Sequence, residues 1–332
     1  MIPSHKILLI ALSLAALRVS AWSINGHLYI ANIAQNLLEE NAPEALAAAN
    51  DLFPSLAEYD PTLTTHEGDH VFVETSTFAD DNKYHGEAWQ SDYHFVTLPW
   101  IEEGEESDYD VSTDHRNLTG GLTNLVSWLS GKDVSDYKTS LIYTHLLDEF
   151  DNDEAVAKSY ALRLLIHYIG DMVQPFHCEI RYNSEWTSGD KGANLFPLKY
   201  HYEVDELHAL WDKILYDGYP NIDRPFTDET WESFQTDVQT VMETYAYAVK
   251  DASVYETIDF DAMSHESFDI AETLYEGLTE DEAVPQAYLD KWKPVAYERL
   301  MIGGYRLAYI INYIFGDSSS SIAIGQPSTF LQ

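Results

Sequence analysis

Two stretches of this chain carry side chains with the type and spacing to hold a metal ion. In LRLLIHYIGDMVQPFHC, residues 162–178, His167 and Asp171 stand four apart, so on a helix both leave one face. Leu162, Leu165, Ile166 and Ile169 recur at the spacing of a buried helical stripe, which predicts that helix. Pro175 stops it, and His177 follows where the chain can fold back over the same face. LHALWD, residues 207–212, repeats the spacing with His208 and Asp212. Two such pairs on two helices can face each other across a bundle core. Imidazole with carboxylate suits zinc better than magnesium or calcium. One pair alone would ordinarily be a hydrogen-bonded couple; two pairs and a third histidine behind a proline stop argue for metal.

The elements that must position these groups read as helices almost throughout. Helical patterns cover about 27–40, 43–53, 65–79, 118–130, 136–150, 154–172, 200–216, 228–251, 262–278 and 285–314, and strands are hard to find. The expected fold class is all-α: a single compact multi-helix domain over residues 22–316, then a Ser-rich flexible tail at 317–332. Residues 80–117 lose the periodicity and read as a long folded excursion. Its aromatics (Tyr84, Trp89, Tyr93, Phe95, Trp100) argue against disorder, and 102–110, EEGEESDYD, reads as a solvated acidic tip. A second loop, 179–199, contains GDKGAN. Glu298, Arg299 and Arg306 make the last helix a core helix, so no stable membrane insertion is expected.

Residues 1–21 read as a secretory signal: Lys6 gives the positive start, Ile7–Leu17 is an apolar run too short to span a bilayer, and Val19 and Ala21 fit the cut. The mature chain is then expected to begin at Trp22, in WSINGH. A free α-amine and its own carbonyl can chelate a metal, with His27 completing the grip. The formal net charge is −38, and a signal holding Lys6 and Arg18 and no acid leaves about −40 on the mature chain. That disfavours broad attraction to nucleic acid or anionic membrane; a nucleic-acid substrate would need a local positive centre such as bound metal. The single cysteine, Cys178, excludes an internal disulfide, so stability must come from the core or from metal. Cys178 could be a ligand but reads better as a small buried hydrophobe. Asn117-Leu118-Thr119 is the one N-glycosylation sequon.

STFAD ends in Asp80, and His94 and Phe95 form an H-F pair in the excursion. The ordered set WSINGH, STFAD, HF, HYIGDMVQPFH, GAN and LHALWD resembles the zinc-dependent class I nucleases, the single-strand-specific nucleases of fungi and plants. These share a helical fold with bacterial zinc phospholipases C. The resemblance implies three Zn2+ per chain. One is held by Asp80, His94, His167 and Asp171; one by the Trp22 amine and carbonyl, His27 and the other oxygen of Asp171; one by His177, His208 and Asp212. It implies hydrolysis of phosphodiester bonds in single-stranded RNA and DNA to 5′-nucleotides, with 3′-nucleotidase activity. A hydroxide shared by the paired zincs is the nucleophile, and the third zinc stabilises the leaving 3′ oxygen. Asp171, Asp80 and Lys83 are the implied catalytic positions, Lys83 near the phosphate. Phe95 would stack on a base, and Asn194 would help place phosphate. Two positions depart from the pattern. Thr97 stands where some relatives carry an acid against the base edge, and Ala193 replaces the second glycine of a G-G-N loop. A monomer is expected, secreted to the exterior or to an acidic secretory-pathway lumen.

Three rival readings remain open at this point. HEGDH, residues 66–70, matches the H-E-x-x-H of zinc proteases, although Gly68 weakens the helix that motif needs. A zinc phospholipase C would use the same cluster on a different diester. A non-catalytic zinc protein would use it for stability alone.

Overall fold

The computed structural model of the protein describes residues 22–83, 87–104, 116–132, 134–216 and 221–316. The expected signal, the Ser-rich tail, Tyr84 and most of the acidic tip lie outside the described residues. Twelve α-helices are found among them: α1 (Ile24–Asn41), α2 (Pro43–Asn50), α3 (Phe53–Tyr59), α4 (Val71–Glu74), α5 (Phe78–Asn82), α6 (Leu118–Ser130), α7 (Leu141–Glu149), α8 (Glu154–Met172), α9 (Leu207–Lys213), α10 (Asp228–Thr244), α11 (Phe260–Ala271) and α12 (Gln286–Phe315). Four short strands accompany them: β1 (Leu98–Ile101), β2 (Glu179–Tyr182), β3 (Pro197–His201) and β4 (Val204–Glu206). The architecture is all-α. α1 lies along α12, and α8 runs through the middle against α3 and α6.

α8 is buried without a break from Ser159 to Met172. Asp153 caps its start by accepting from the Ala155 and Val156 N–H groups. A helix in that position should be apolar on every face. α8 instead carries Ser159, Arg163, His167 and Asp171 at four-residue steps, one polar stripe inside the core. The first half of the stripe is structural. Arg163 forks onto Glu67, Nε to Oε1 at 2.8 Å and Nη2 to Oε2 at 2.6 Å, and its remaining N–H groups reach Ser159 and the Phe53 carbonyl. The second half faces the metal-ligand candidates described below.

Several expected boundaries shift, each for a local reason. No helix spans 65–79: the chain turns as far as His70, and only α4, a short 3-10 turn and α5 follow. Glu74 causes this by accepting from the Gly68 and His70 N–H groups, at 2.6 and 3.2 Å, which draws the segment out of a helical ladder. The H-E-x-x-H reading falls with it. His66 is exposed, His70 stacks on Trp231 with ring centroids 3.6 Å apart, and Glu67 is committed to Arg163. The expected helix 200–216 begins as the β3–β4 hairpin, turned by Tyr202 and Glu203 in the left-handed region, and only Leu207–Lys213 is α-helical. The expected helix 136–150 starts instead at Leu141, where the Ser140 hydroxyl accepts from Tyr143 N–H. α10 ends at Thr244 and α11 at Ala271, both short of the expected limits. The excursion is folded: β1 pairs in parallel with β2, from Leu98 opposite Glu179 to Ile101 opposite Tyr182.

Replacing Glu67 by alanine strands the fully buried Arg163 guanidinium. The expected loss is about 3–5 kcal/mol of folding stability, read from denaturant midpoints, with metal content per folded chain unchanged.

Candidate metal centre

The site is built where several elements meet. α8 supplies His167 and Asp171. Its end is pinned by Ser267, whose hydroxyl donates to the Met172 carbonyl at 2.6 Å, and by Arg299, whose Nε donates to the Val173 carbonyl at 3.1 Å. A cation at a helix C-terminus also suits the helix dipole. Beyond it, Gln174 Oε1 accepts from Phe176 N–H at 2.6 Å, and the Pro175 turn brings His177 back beneath α8. α9 supplies His208 and Asp212, α5 supplies Asp80, and His94 closes the 3-10 turn 88–94. α1 supplies His27. Trp22, just ahead of α1, is buried, and the Ser23 N–H donates to the Asp212 carbonyl at 3.2 Å.

Three groups of candidate ligand atoms result, each gathered within 4.8 Å: Asp80 with His94 and His167; His27 with His167 and Asp171; and His177 with His208 and Asp212. Asp171 faces two ways. Its Oδ2 lies 2.9 Å from His94 Nδ1 and 3.4 Å from His167 Nε2, while its Oδ1 lies 3.5 Å from His27 Nε2. His27 and His167 stack, with ring centroids 4.1 Å apart. Gly170 permits that approach, because a Cβ there would stand 2.4 Å from His27 Nδ1.

Backbone carbonyls fix three of the imidazoles. His167 Nδ1 lies 2.7 Å from Ser76 O, His177 Nδ1 2.7 Å from His94 O, and His208 Nδ1 2.6 Å from Gly192 O. A carbonyl only accepts, so each Nδ1 carries the hydrogen and each Nε2 keeps its lone pair. Gly192 sits close behind, where a Cβ would meet the Phe176 carbonyl at 2.4 Å. Ala193 adopts φ 62° beside it and donates its N–H to Asp190 Oδ2 at 3.0 Å, so the departure from G-G-N keeps the turn.

The electrostatics call for cations. Both Asp171 oxygens, both His27 nitrogens, His94 Nε2 and His177 Nε2 are buried without a hydrogen-bond partner. Burial pushes the carboxyls of Asp171 and Asp212 well above the usual range. Burial also holds His27, His167 and His177 below the usual imidazole value and takes His94 down to about 4, so these rings stay neutral with open lone pairs. Burial would raise Asp80 too, but nearby positive charge, with Lys83 at 2.9 Å, outweighs it and holds Asp80 low. Neutral imidazoles beside carboxyls that lack positive charge fit a divalent metal of zinc type.

The other sequence candidates fall around this centre. Lys83 Nζ lies 2.9 Å from Asp80 Oδ1 and is largely buried, so it is not a solvated surface lysine. Phe95 is half-buried and stacks on His177, centroids 4.5 Å apart. Asn194 Nδ2 donates to the Lys191 carbonyl at 2.8 Å, and Thr97 is exposed. Asn117 caps α6, its Oδ1 accepting from Gly120 N–H at 2.9 Å. Cys178 is buried, its Sγ 3.7 Å from the Met172 carbonyl, and burial pushes its thiol up to about 12, so it offers no thiolate. One functional side chain was missed in the sequence. Gln174 Nε2 donates to Asp212 Oδ1 at 2.8 Å, and its place in Q-P-x-H was the available signal.

The family described as S1/P1 Nuclease matches residues 22–316. Endonuclease 2 of Arabidopsis thaliana is 25% identical over 308 residues, covering 91% of this chain and 93% of its own. Endonuclease 4 of the same plant is 24% identical over 304 residues, covering 89% of each chain. Endonuclease 1 is 24% identical over 319 residues, covering 90% of this chain and 88% of its own.

Two outcomes are expected. Gly170→Ala drives His27 aside, so metal analysis should show a deficit against the unsubstituted protein while His177, His208 and Asp212 keep theirs. The second concerns pH. Without metal, the folded chain keeps protons on Asp171 and Asp212 that the unfolded chain has already released. Stability is therefore lost as pH rises, until the raised folded-state values are passed. The depressed histidines oppose this only below their ordinary value of 6.5. The unfolding temperature of chelated protein should therefore fall as pH rises above about 6.5, and metal-loaded protein should not follow it.

Proposed function

Because the chain belongs to the S1/P1 nuclease family, and so is a hydrolase of phosphodiester bonds in nucleic acid, we propose that it is a secreted zinc-dependent endonuclease. Its substrates are single-stranded RNA and DNA, its products 5′-nucleotides, and it also removes 3′-phosphates. The observation that carries the reading is Asp171: one fully buried carboxylate whose two unsatisfied oxygens face different sets of histidines. That is the geometry of a ligand shared by two cations.

Asp80, His94, His167 and Asp171 Oδ2 would hold one zinc. His27, Asp171 Oδ1 and the α-amine and carbonyl of Trp22, freed by signal removal, would hold the second. His177, His208 and Asp212 would hold the third. Bound zinc supplies a water acidic enough to attack phosphorus near neutral pH and charge to stabilise the leaving oxygen. The chain's own groups do the rest. The carbonyls of Ser76, His94 and Gly192 keep three imidazoles in the binding tautomer. Gln174 aims Asp212. Lys83, 2.9 Å from Asp80 Oδ1, would meet a phosphate oxygen, a needed local charge in a chain of net −38. Phe95, backed by His177, offers a ring to a base, and a base must leave its duplex stack to lie there. Asn194 sits in the turn behind His208 and would orient phosphate through that turn.

The proposed mature domain runs from Trp22 to Gly316. Among the described residues no helix is long and apolar enough to cross a membrane. A monomer, glycosylated at Asn117 and released to the exterior or to an acidic secretory-pathway lumen, completes the reading.

The test is hydrolysis by purified secreted protein of single-stranded DNA, RNA, duplex DNA and phosphatidylcholine vesicles, before and after chelation. Cleavage of the single strands, lost in chelator and recovered with zinc, is expected. Asp171→Ala should cost at least about 100-fold, since it disturbs two ions. Cleavage surviving exhaustive chelation, or turnover of phosphatidylcholine alone, would refute it.

A further inference from the structure

We propose that Arg224 is a positioning residue for the half of the cluster built on Asp80 and His27, acting through Asp81. The proposal rests on the metal reading above and deepens it. Residues 221–226 have no regular secondary structure. Yet alternate residues of this segment are tied to three separate walls of the site. The Ile222 N–H donates to Asn25 Oδ1 at 2.7 Å, two residues ahead of His27. Arg224 grips Asp81, the neighbour of Asp80, with both terminal nitrogens: Nη1 to Oδ2 at 2.6 Å and Nη2 to Oδ1 at 3.1 Å. The Phe226 N–H donates to Glu74 Oε1 at 2.7 Å, two residues ahead of the Ser76 whose carbonyl orients His167.

Arg224 is the strong member of this strap. Its side chain is 4% exposed, and that of Asp81 20%. A bidentate guanidinium–carboxylate pair in that setting fixes orientation as well as distance. Arg224 also donates to Thr77 Oγ1, and the Thr77 hydroxyl donates to Asp81 Oδ2 at 2.8 Å, which closes the grip around the start of α5. α5 is only five residues long, too short to hold its own direction. The grip on Asp81 therefore joins Lys83, 2.9 Å from Asp80 Oδ1, and Gln90, which donates to the Ala79 carbonyl at 3.1 Å, in setting where Asp80 points. Arg224 is not placed at the reacting phosphate; it sets the gap between the wall that carries Asp80 and the wall that carries His27.

The experiment compares secreted unsubstituted protein with Arg224→Gln, Arg224→Lys, Asp81→Asn and the Arg224→Gln/Asp81→Asn double variant. Zinc per chain is measured against a graded chelator, with thermal unfolding and single-strand cleavage in parallel. Arg224→Gln should lose zinc at about 10–100-fold higher free zinc than the unsubstituted protein. Asp81→Asn should match it, and the double variant should be no worse than either, because both act through one contact. Excess zinc should restore cleavage with KM for the oligonucleotide unchanged. Arg224→Lys keeps the charge but not the fork and should fall between, and it serves if the glutamine variant does not fold. Unaltered zinc retention with only a lower unfolding temperature would overturn the proposal, as would additive losses in the double variant. An unsubstituted protein that carries no zinc would instead overturn the metal reading, and the strap proposal with it.

Discussion

Burying the carboxylate of Asp171 is unfavourable, and the described residues around it supply none of the missing hydrogen bonds. The rest of the interior is arranged about that deficit. Imidazoles close on the carboxylate from both sides with their lone pairs inward, and burial keeps them uncharged. A protein interior normally avoids such a concentration of polar atoms. Here the surrounding helices hold it in place, and positive charge from outside the polypeptide is what would make it favourable.

α8 shows how one element serves structure and chemistry together. Its polar stripe begins with an ion pair that the protein completes alone, Arg163 with Glu67, and ends with a carboxylate that it leaves incomplete. Both halves are buried, and both would be penalised if left unpaired. The first half anchors the turn-rich segment 61–70 against the core. The second is kept rigid by Ser267 and Arg299, which fix the last carbonyls of the helix and so the turn into His177. Rigid support behind the ligands is what a metal centre requires of its scaffold.

Much of the site was legible because helix geometry is local. A four-residue spacing puts His167 with Asp171 and His208 with Asp212 on shared faces whatever the rest of the chain does. The proline stop before His177 is equally local. What escaped depends on partners far along the chain. β1 and β2 pair across about 80 residues in parallel, and four-residue strands carry too little alternation to announce themselves. HEGDH looked like a zinc site because the match ignores Arg163, 96 residues away, which takes the glutamate. The long helix expected over 65–79 failed for the same kind of reason: Glu74 reaches back to backbone N–H groups and on to Phe226. Gln174 was visible as a letter, but its role required knowing that Asp212 lies opposite.

The chain's only sulfhydryl is sealed in the core with its proton on. Nothing covalent staples this fold, so a thiol reductant has no bond to cut. If the cluster holds metal as proposed, its weak point is a competing sequestrant, which would withdraw catalytic power and tertiary support in one event. On the proposed metal reading, surroundings poor in free transition metal would thus shorten the molecule's working life, whereas a reductant that does not bind metal would leave it untouched.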